Sequence, residues 1–372
     1  MVRLPLKVLP LRSLKVNSQP IIYQCVTNDL SFDQRLLKKT SSLRAAGYDV
    51  RLIGRRLPNS PSKPEGIPCT RFRCWINAGV LFYIEINLRI FFFLIFKKWQ
   101  VVVANDADTL LACGLLKMCK GRRLVYDSHE LFTEVPELQG KNLKRKIWHW
   151  LQKWMVPKSD LQITVGPKLA IRLSHLYGGN FLSVRNMPFS KPKSLESQQK
   201  LMLYQGALNT DRGIELSIQA LTEMSEWKLW IAGKGPKEQW LRSIAKSAGV
   251  ADRVTFLGNI PPDQLSEITC QATVGLNLLR GESMNYKFFD YVQAEIPGIS
   301  MAFPEYKALC EEYPVAILLE NYSVGELVEA LRTLEQTEVY QKYQHACREA
   351  AQLWIWPNEA EALVKAYQAM LE

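Results

Sequence analysis

The chain has 372 residues, 47% apolar and 22% charged, which allows about two full domain cores and excludes a disordered polyelectrolyte. Its net charge of +11 is uneven: residues 1–187 carry 30 Lys and Arg against 12 Asp and Glu, and residues 188–372 carry 17 against 24. A basic half joined to an acidic half suggests that the basic one faces a polyanion, either nucleic acid or an anionic membrane surface; the plainer account is solubility alone.

Residues 1–20 are basic, broken by prolines and without a continuous apolar core, so they read as a tail and not as a secretory signal. Eight cysteines show no CxxC pair and no metal-like spacing with His; they read as free thiols of a reducing compartment, which points to the cytoplasm. From residue 21 short β-branched runs alternate with helical patterns. Strands are expected at 21–26, 49–54, 100–105, 123–128 and 161–166, with a helix over 33–46 ended by Gly47. The most apolar stretch, 75–99, holds Glu85 and Arg89 at helical i,i+4 spacing. Its uninterrupted apolar run, Ile90–Phe96, is too short to span a bilayer, so a helix buried on one side and touching lipid on the other is expected. The segment 141–158, KNLKRKIWHWLQKWMVPK, alternates cations with Trp148, Trp150 and Trp154, the composition of an interfacial helix; a helix with inward tryptophans fits equally well.

The periodicity breaks at 188–199, rich in Pro, Ser and Lys, which reads as a linker. A second series follows, with strands at 200–206, 228–233, 253–258, 272–277 and 298–302. This rhythm predicts two α/β, Rossmann-like parallel-sheet domains, 21–187 and 200–350, facing each other across a cleft; residues 351–372 are helices expected to cross back to the first. Ligands of such sheets bind at the carboxyl ends of the strands.

At those ends the first domain places Asn105, Asp106 and Asp108, then Asp127, Ser128, His129 and Glu130. His129 can bond a substrate hydroxyl or move a proton; Asp127 can instead cap the next helix. In the second domain Gly206 permits a tight turn, and Arg212 before the next helix suits phosphate. The GxG at 233–235 is no dinucleotide fingerprint, and no phosphate-binding GxxxxGK[ST] occurs. In RGESMNYKFFDYVQAE, Glu282 falls on a loop, and Lys287 and Asp290 fall on the helix after it. Carboxylates accept two hydroxyl bonds, as vicinal diols require, and a lysine at a helix start suits a diphosphate; together these are the needs of a nucleotide-sugar.

The stretches NDLSFDQR, ANDADTL, LVYDSHELF, VRNMP, LYQGALNTDRGIE, LWIAGKGP, VTFLGNIPPDQL and SMNYKFFDYVQAEIP, in this order, resemble the GT-B glycosyltransferases, and within them glycosyltransferase family 4. Glu282 and Asp290 are similar to that family's E-x7-E element. The resemblance implies a retaining, nucleotide-sugar-dependent hexosyltransferase. Glu282 and Ser283 would meet the donor sugar, Asp290 the ribose, and Arg212 and Lys287 the diphosphate. The turn Gly258–Ile260 would lie along the base, Gly206 beside the donor, and His129 near the reacting carbon. Asn28, Asp29, Asn105, Asp106 and Asp127 would lie on the acceptor side. Ala207 stands where the family often has a basic residue, Asp290 is one methylene shorter than Glu, and the family's N-terminal double glycine is missing. No metal or other cofactor is implied.

The expected activity is sugar transfer to a glycan or lipid-linked acceptor in cell-surface polysaccharide biosynthesis, in the cytoplasm or peripherally at the inner membrane face. A sugar-nucleotide epimerase on the same plan, or a non-catalytic basic protein binding nucleic acid or membrane, are the alternatives. The basic residues lack any known nucleic-acid-binding context, so no specific nucleic-acid partner is expected.

Overall fold

In a computed structural model of the chain, residues 19–30, 33–58, 60, 66–134, 140–189, 200–280 and 286–372 are described. The basic tail over 1–18, most of the expected linker, and Glu282 and Ser283 lie outside them. The chain divides into two compact units, residues 1–186 with 359–372, and residues 187–358.

The first unit is built on β1 (Ile21–Asp29), β2 (Asp49–Arg55), β3 (Cys69–Phe72), β4 (Val101–Asn105), β5 (Arg123–Ser128), β6 (Leu161–Thr164) and β7 (Phe181–Ser183). They pair in parallel in the order β3-β2-β1-β4-β5-β6-β7. Val101, Val102 and Val103 are fully buried, as a strand covered on both faces requires. The covering helices are α1 (Gln34–Ala45), α2 (Gly79–Ile95), α3 (Ala107–Lys120), α4 (Asn142–Met155) and α5 (Pro167–Tyr177). Asp33 caps α1, its carboxylate accepting from the Leu36 amide at 2.9 Å, and Gly47 just past that helix has φ +96°. On α2 the spacing of Glu85 and Arg89 does produce an ion pair, at 2.7 Å.

The second unit pairs β8 (Leu201–Gln205), β9 (Lys228–Ala232), β10 (Val254–Gly258), β11 (Val274–Asn277), β12 (Gly298–Met301) and β13 (Ala316–Leu319), all parallel, in the order β10-β9-β8-β11-β12-β13. Its helices are α6 (Ile214–Ala220), α7 (Glu238–Ser247), α8 (Pro262–Thr269), α9 (Tyr286–Gln293), α10 (Pro304–Glu312), α11 (Val324–Glu335) and α12 (Thr337–Leu353). The last helix, α13 (Trp356–Leu371), carries residues 359–371 into the first unit, where Glu359 pairs with Arg185 at 2.8 Å.

Three strands escape the sequence reading: β3, β7 and β13. All three are edge strands of three or four residues. An edge strand needs only one paired side, so it carries no long apolar run, and a short run such as AILL cannot be told from a helix segment by periodicity.

Candidate active site

In the first unit the ends of β4 and β5 meet the buried side of α1. Arg35 and Lys39 lie four residues apart on that helix, on the same stripe as buried Leu43. Two cations on a core-facing stripe require a counter-charge, and Asp127 supplies it. Its side chain has no solvent exposure; Arg35 Nη2 lies 3.2 Å from Oδ1, and the Lys39 ammonium pairs with Oδ2. Lys39 also donates to Asn105 Oδ1 at 2.7 Å, Asn105 Nδ2 donates to the Cys25 carbonyl at 3.1 Å, and Arg35 Nη1 donates to the Val184 carbonyl at 2.8 Å. Burial alone would raise the Asp127 carboxyl; Arg35, Lys39 and His129 outweigh it and hold it well below the usual range.

His129 sits on the rim of this network. Its amide donates to Asp106 Oδ1 at 2.7 Å and its Nδ1 lies 3.1 Å from Asp106 Oδ2. Burial disfavours the imidazolium, but Asp106 and Asp127 overcome that and lift His129 to about 9. At neutral pH the ring is therefore charged and donor-only. Nδ1–H is spent on Asp106. Nε2–H, 3.8 Å from Asp127, has no hydrogen-bond partner among the described residues. Asp106 holds its position with φ +65°, a left-handed conformation costly for a non-glycine residue. Next to it, burial and then the Asp106 charge push Asp108 up to about 7, although its carboxylate accepts the Thr27 hydroxyl.

In the second unit three strand ends lie backbone to backbone. The Gly206 amide donates to the Ala232 carbonyl at 2.9 Å, and the Gly233 amide donates to the Gly258 carbonyl at 2.7 Å. A Cβ on Gly233 would sit 1.9 Å from the Gly206 oxygen, and Gly233 has φ +152°. The GxG at 233–235 is thus a packing device. Beside these loops the Lys287 ammonium lies over the Tyr204 ring, 4.1 Å from its centroid. Burial, then the neighbouring positive charge of Arg212, bring Lys287 down to about 7. Arg212 Nε is buried without a hydrogen-bond partner. Among the described residues no carboxylate forms an ion pair with either cation.

Asp290, one helical turn after Lys287 on α9, is buried; its Oδ2 accepts from Gln205 Nε2 at 2.9 Å, and Gln205 Oε1 accepts from the Thr269 hydroxyl at 3.0 Å. The carboxylate is therefore held from the strand β8 side and does not stand alone on an open helix face. Gly258, with φ +72°, and half-buried Ile260 border the same set of strand ends.

The candidate residues thus fall into two groups. Asn105, Asp106, Asp127 and His129 come together in the first unit; Gly206, Gly258, Arg212, Lys287 and Asp290 gather at the strand ends of the second. Asn28 is exposed and donates to Asp33 at 3.3 Å. Asp29 is buried, 3.8 Å from Arg71, and accepts the Ser60 hydroxyl. Among the described residues the Asp127 carboxylate accepts from no helix-starting amide; it is the enclosed anchor of Arg35 and Lys39. Sequence reasoning misses Arg35, Lys39, Tyr204 and Gln205. For the first two a signal exists, since cations at i,i+4 on an apolar stripe imply a buried partner; for Tyr204 and Gln205, inside a strand, none does.

Residues 36–183 match the family model of Glycosyltransferase Family 4, and residues 186–354 match that of Glycosyl transferases group 1. Among curated proteins the chain is 23% identical over 263 residues to a glycogen synthase of Mycobacterium tuberculosis, covering 61% of this chain and 63% of that protein, so it spans less than two thirds of that relative's length. Among solved structures it is similar to a sucrose-phosphate synthase of Thermosynechococcus elongatus, with TM-score 0.81, 16% identity, and coverage of 95% of this chain and 99% of that one. It is also similar to HepE of Anabaena solved with UDP and glucose, with TM-score 0.75, 14% identity, and coverage of 95% and 100%. Both halves are matched by glycosyltransferase models and both parallel sheets recur in these neighbours, so the chain belongs to the GT-B glycosyltransferases.

Proposed function

We propose that the protein transfers a hexosyl group from a nucleoside-diphosphate sugar to a hydroxyl of a glycan or lipid-linked acceptor, with retention of configuration, in cell-surface polysaccharide biosynthesis at the cytoplasmic side of a membrane. The observation that carries this reading is the pair Arg212 and Lys287: Lys287 lies over Tyr204, Arg212 acts on both, and neither cation has an ion-pair partner among the described residues. Burying positive charge without a partner is costly unless a ligand supplies the anion. A diphosphate does so, and the similar HepE structure contains UDP and glucose.

In this reading the bond from the anomeric carbon to the diphosphate oxygen breaks as the acceptor oxygen bonds to the same face of that carbon, and the acceptor proton passes to the departing diphosphate. Negative charge grows on the leaving group, where Arg212 and Lys287 are already fixed and need no reorganisation. No metal ion is invoked. Asp290, held by Gln205, would receive ribose hydroxyls, with Gly206, Gly258 and Ile260 leaving room for the nucleoside. Glu282 and Ser283 would take the sugar hydroxyls. His129, positively charged, would donate Nε2–H to a sugar oxygen near the reacting carbon, steered by Asp106. Asn105 and Asp127 set the acceptor side by fixing that loop.

A thermal-shift panel of UDP-, GDP- and ADP-sugars tests the reading, because a ligand that binds only the native state raises the melting temperature. One sugar class should raise it, and Lys287→Ala and Glu282→Ala should each cut transfer strongly in a folded protein. Wild-type transfer in either variant would discard the site.

A further inference from the structure

Helix α2 is buried along Phe82, Ile86, Ile90 and Leu94 and exposed along the opposite side. That exposed side is apolar. Leu81, Ile84, Leu88, Phe92 and Phe96 all stand in solvent, Phe96 at 85% exposure, and Trp75 just before the helix at 88%. On α4 a second stripe, Leu143, Ile147 and Trp150, is also exposed, and Trp150 stacks on Trp154 with centroids 5.4 Å apart. The helices meet where Tyr83 of α2 touches Trp148 of α4 edge to face at 5.3 Å. Soluble monomers rarely leave so much contiguous apolar surface uncovered. In the second unit, by contrast, Trp240 and Leu353 are the large hydrophobic residues exposed among the described residues.

Charge decides what covers this face. Between Arg71 and Asn105 the sequence holds one carboxylate, Glu85, and it is paired with Arg89. Between Lys141 and Lys158 there are six Lys and Arg and no Asp or Glu. Exposed Lys97 and Lys98 follow Phe96 at the end of α2, and exposed Lys146 and Lys153 flank the α4 stripe. Apolar and aromatic side chains rimmed by cations match the boundary between acyl chains and anionic headgroups. We propose that α2 and α4 together form a monotopic docking face for an anionic lipid bilayer. Among the described residues no helix is long and apolar enough to cross a membrane, so binding is by the side of these helices. The inference extends the reading of a membrane-borne acceptor, and it uses none of the residues assigned to the donor.

Vesicle sedimentation of the full chain tests it, with phosphatidylcholine vesicles against phosphatidylcholine mixed with phosphatidylglycerol. The wild type should sediment with the anionic vesicles and be released by salt. The double variant Leu88→Glu with Phe92→Glu should stay in the supernatant. Lys97→Gln and Lys98→Gln should each weaken partitioning about fivefold. UDP-sugar thermal shifts on the same proteins separate the two readings: donor binding retained with vesicle binding lost in the variants supports the face, whereas failure of donor binding in the wild type bears on the donor site alone. Equal sedimentation of wild type and the Leu88/Phe92 variant would overturn the proposal. So would light scattering showing a wild-type dimer that the same variant converts to monomer with no vesicle binding in either.

Discussion

The two units handle buried charge in opposite ways. In the first, Asp127 is closed in by Arg35 and Lys39, and His129 is paired with Asp106. That cluster is nearly complete by itself and behaves as a frame, leaving the buried His129 Nε2–H, 3.8 Å from Asp127, as the donor without a hydrogen bond among the described residues. In the second, Lys287 lies over the Tyr204 ring within the field of Arg212, and among the described residues neither cation has an ion-pair partner. A satisfied network fixes geometry; an unsatisfied one creates affinity for the missing charge. The same residue types thus have a positioning role in one unit and a binding role in the other.

The largest expected effect breaks the frame. Asp127→Asn keeps the side-chain shape but leaves Arg35 and Lys39 buried without their anion, and should cost about 3–5 kcal/mol of stability in a denaturant titration. Lys287→Ala should do the reverse: the melting temperature unchanged or raised, because an unpaired buried cation is removed, and transfer lowered by about 10²–10³ in kcat/KM. If Lys287→Ala instead unfolds the protein, the contrast between the units fails.

Smaller effects come from pH. His129 is held at about 9 against an ordinary 6.5, so its pairing contributes stability in full below about 6.5, and that contribution is lost as pH rises through about 9. Wild-type stability should fall across that window by about 3 kcal/mol more than that of His129→Gln. Lys287 moves the other way, from 10.5 to about 7, so the free protein sheds that proton above about 7 and a bound diphosphate restores it. Affinity for a UDP-sugar should therefore weaken as pH rises above 7, by up to about tenfold per pH unit. Calorimetry at pH 8 in buffers of different ionisation heat should show proton uptake on binding; proton release would contradict the assignment.

Much of the architecture was legible in advance. Ten of the strands were readable as β-branched runs between helical patterns, because a parallel strand covered on both faces must be apolar throughout. The edge strands β3, β7 and β13 were not, since one-sided pairing over only three or four residues leaves too weak a pattern; the edge strand β10, with five, was readable. Of the site, Asp106, His129, Arg212 and Lys287 could be picked out as polar residues just after strands or at a helix start. What they touch could not.

The order of apolar runs, the turn glycines and the charge asymmetry between the halves belong to the sequence, because each follows from local periodicity or composition. Tertiary structure alone decided which charges are cancelled. Arg35 and Asp127 are 92 residues apart, and Gln205 and Asp290 are 85 apart. They meet because strands distant in the chain are neighbours in each sheet, and β4 lies beside β1 and β11 beside β8. Coulomb interaction depends on separation in space and on burial, neither of which a linear pattern contains.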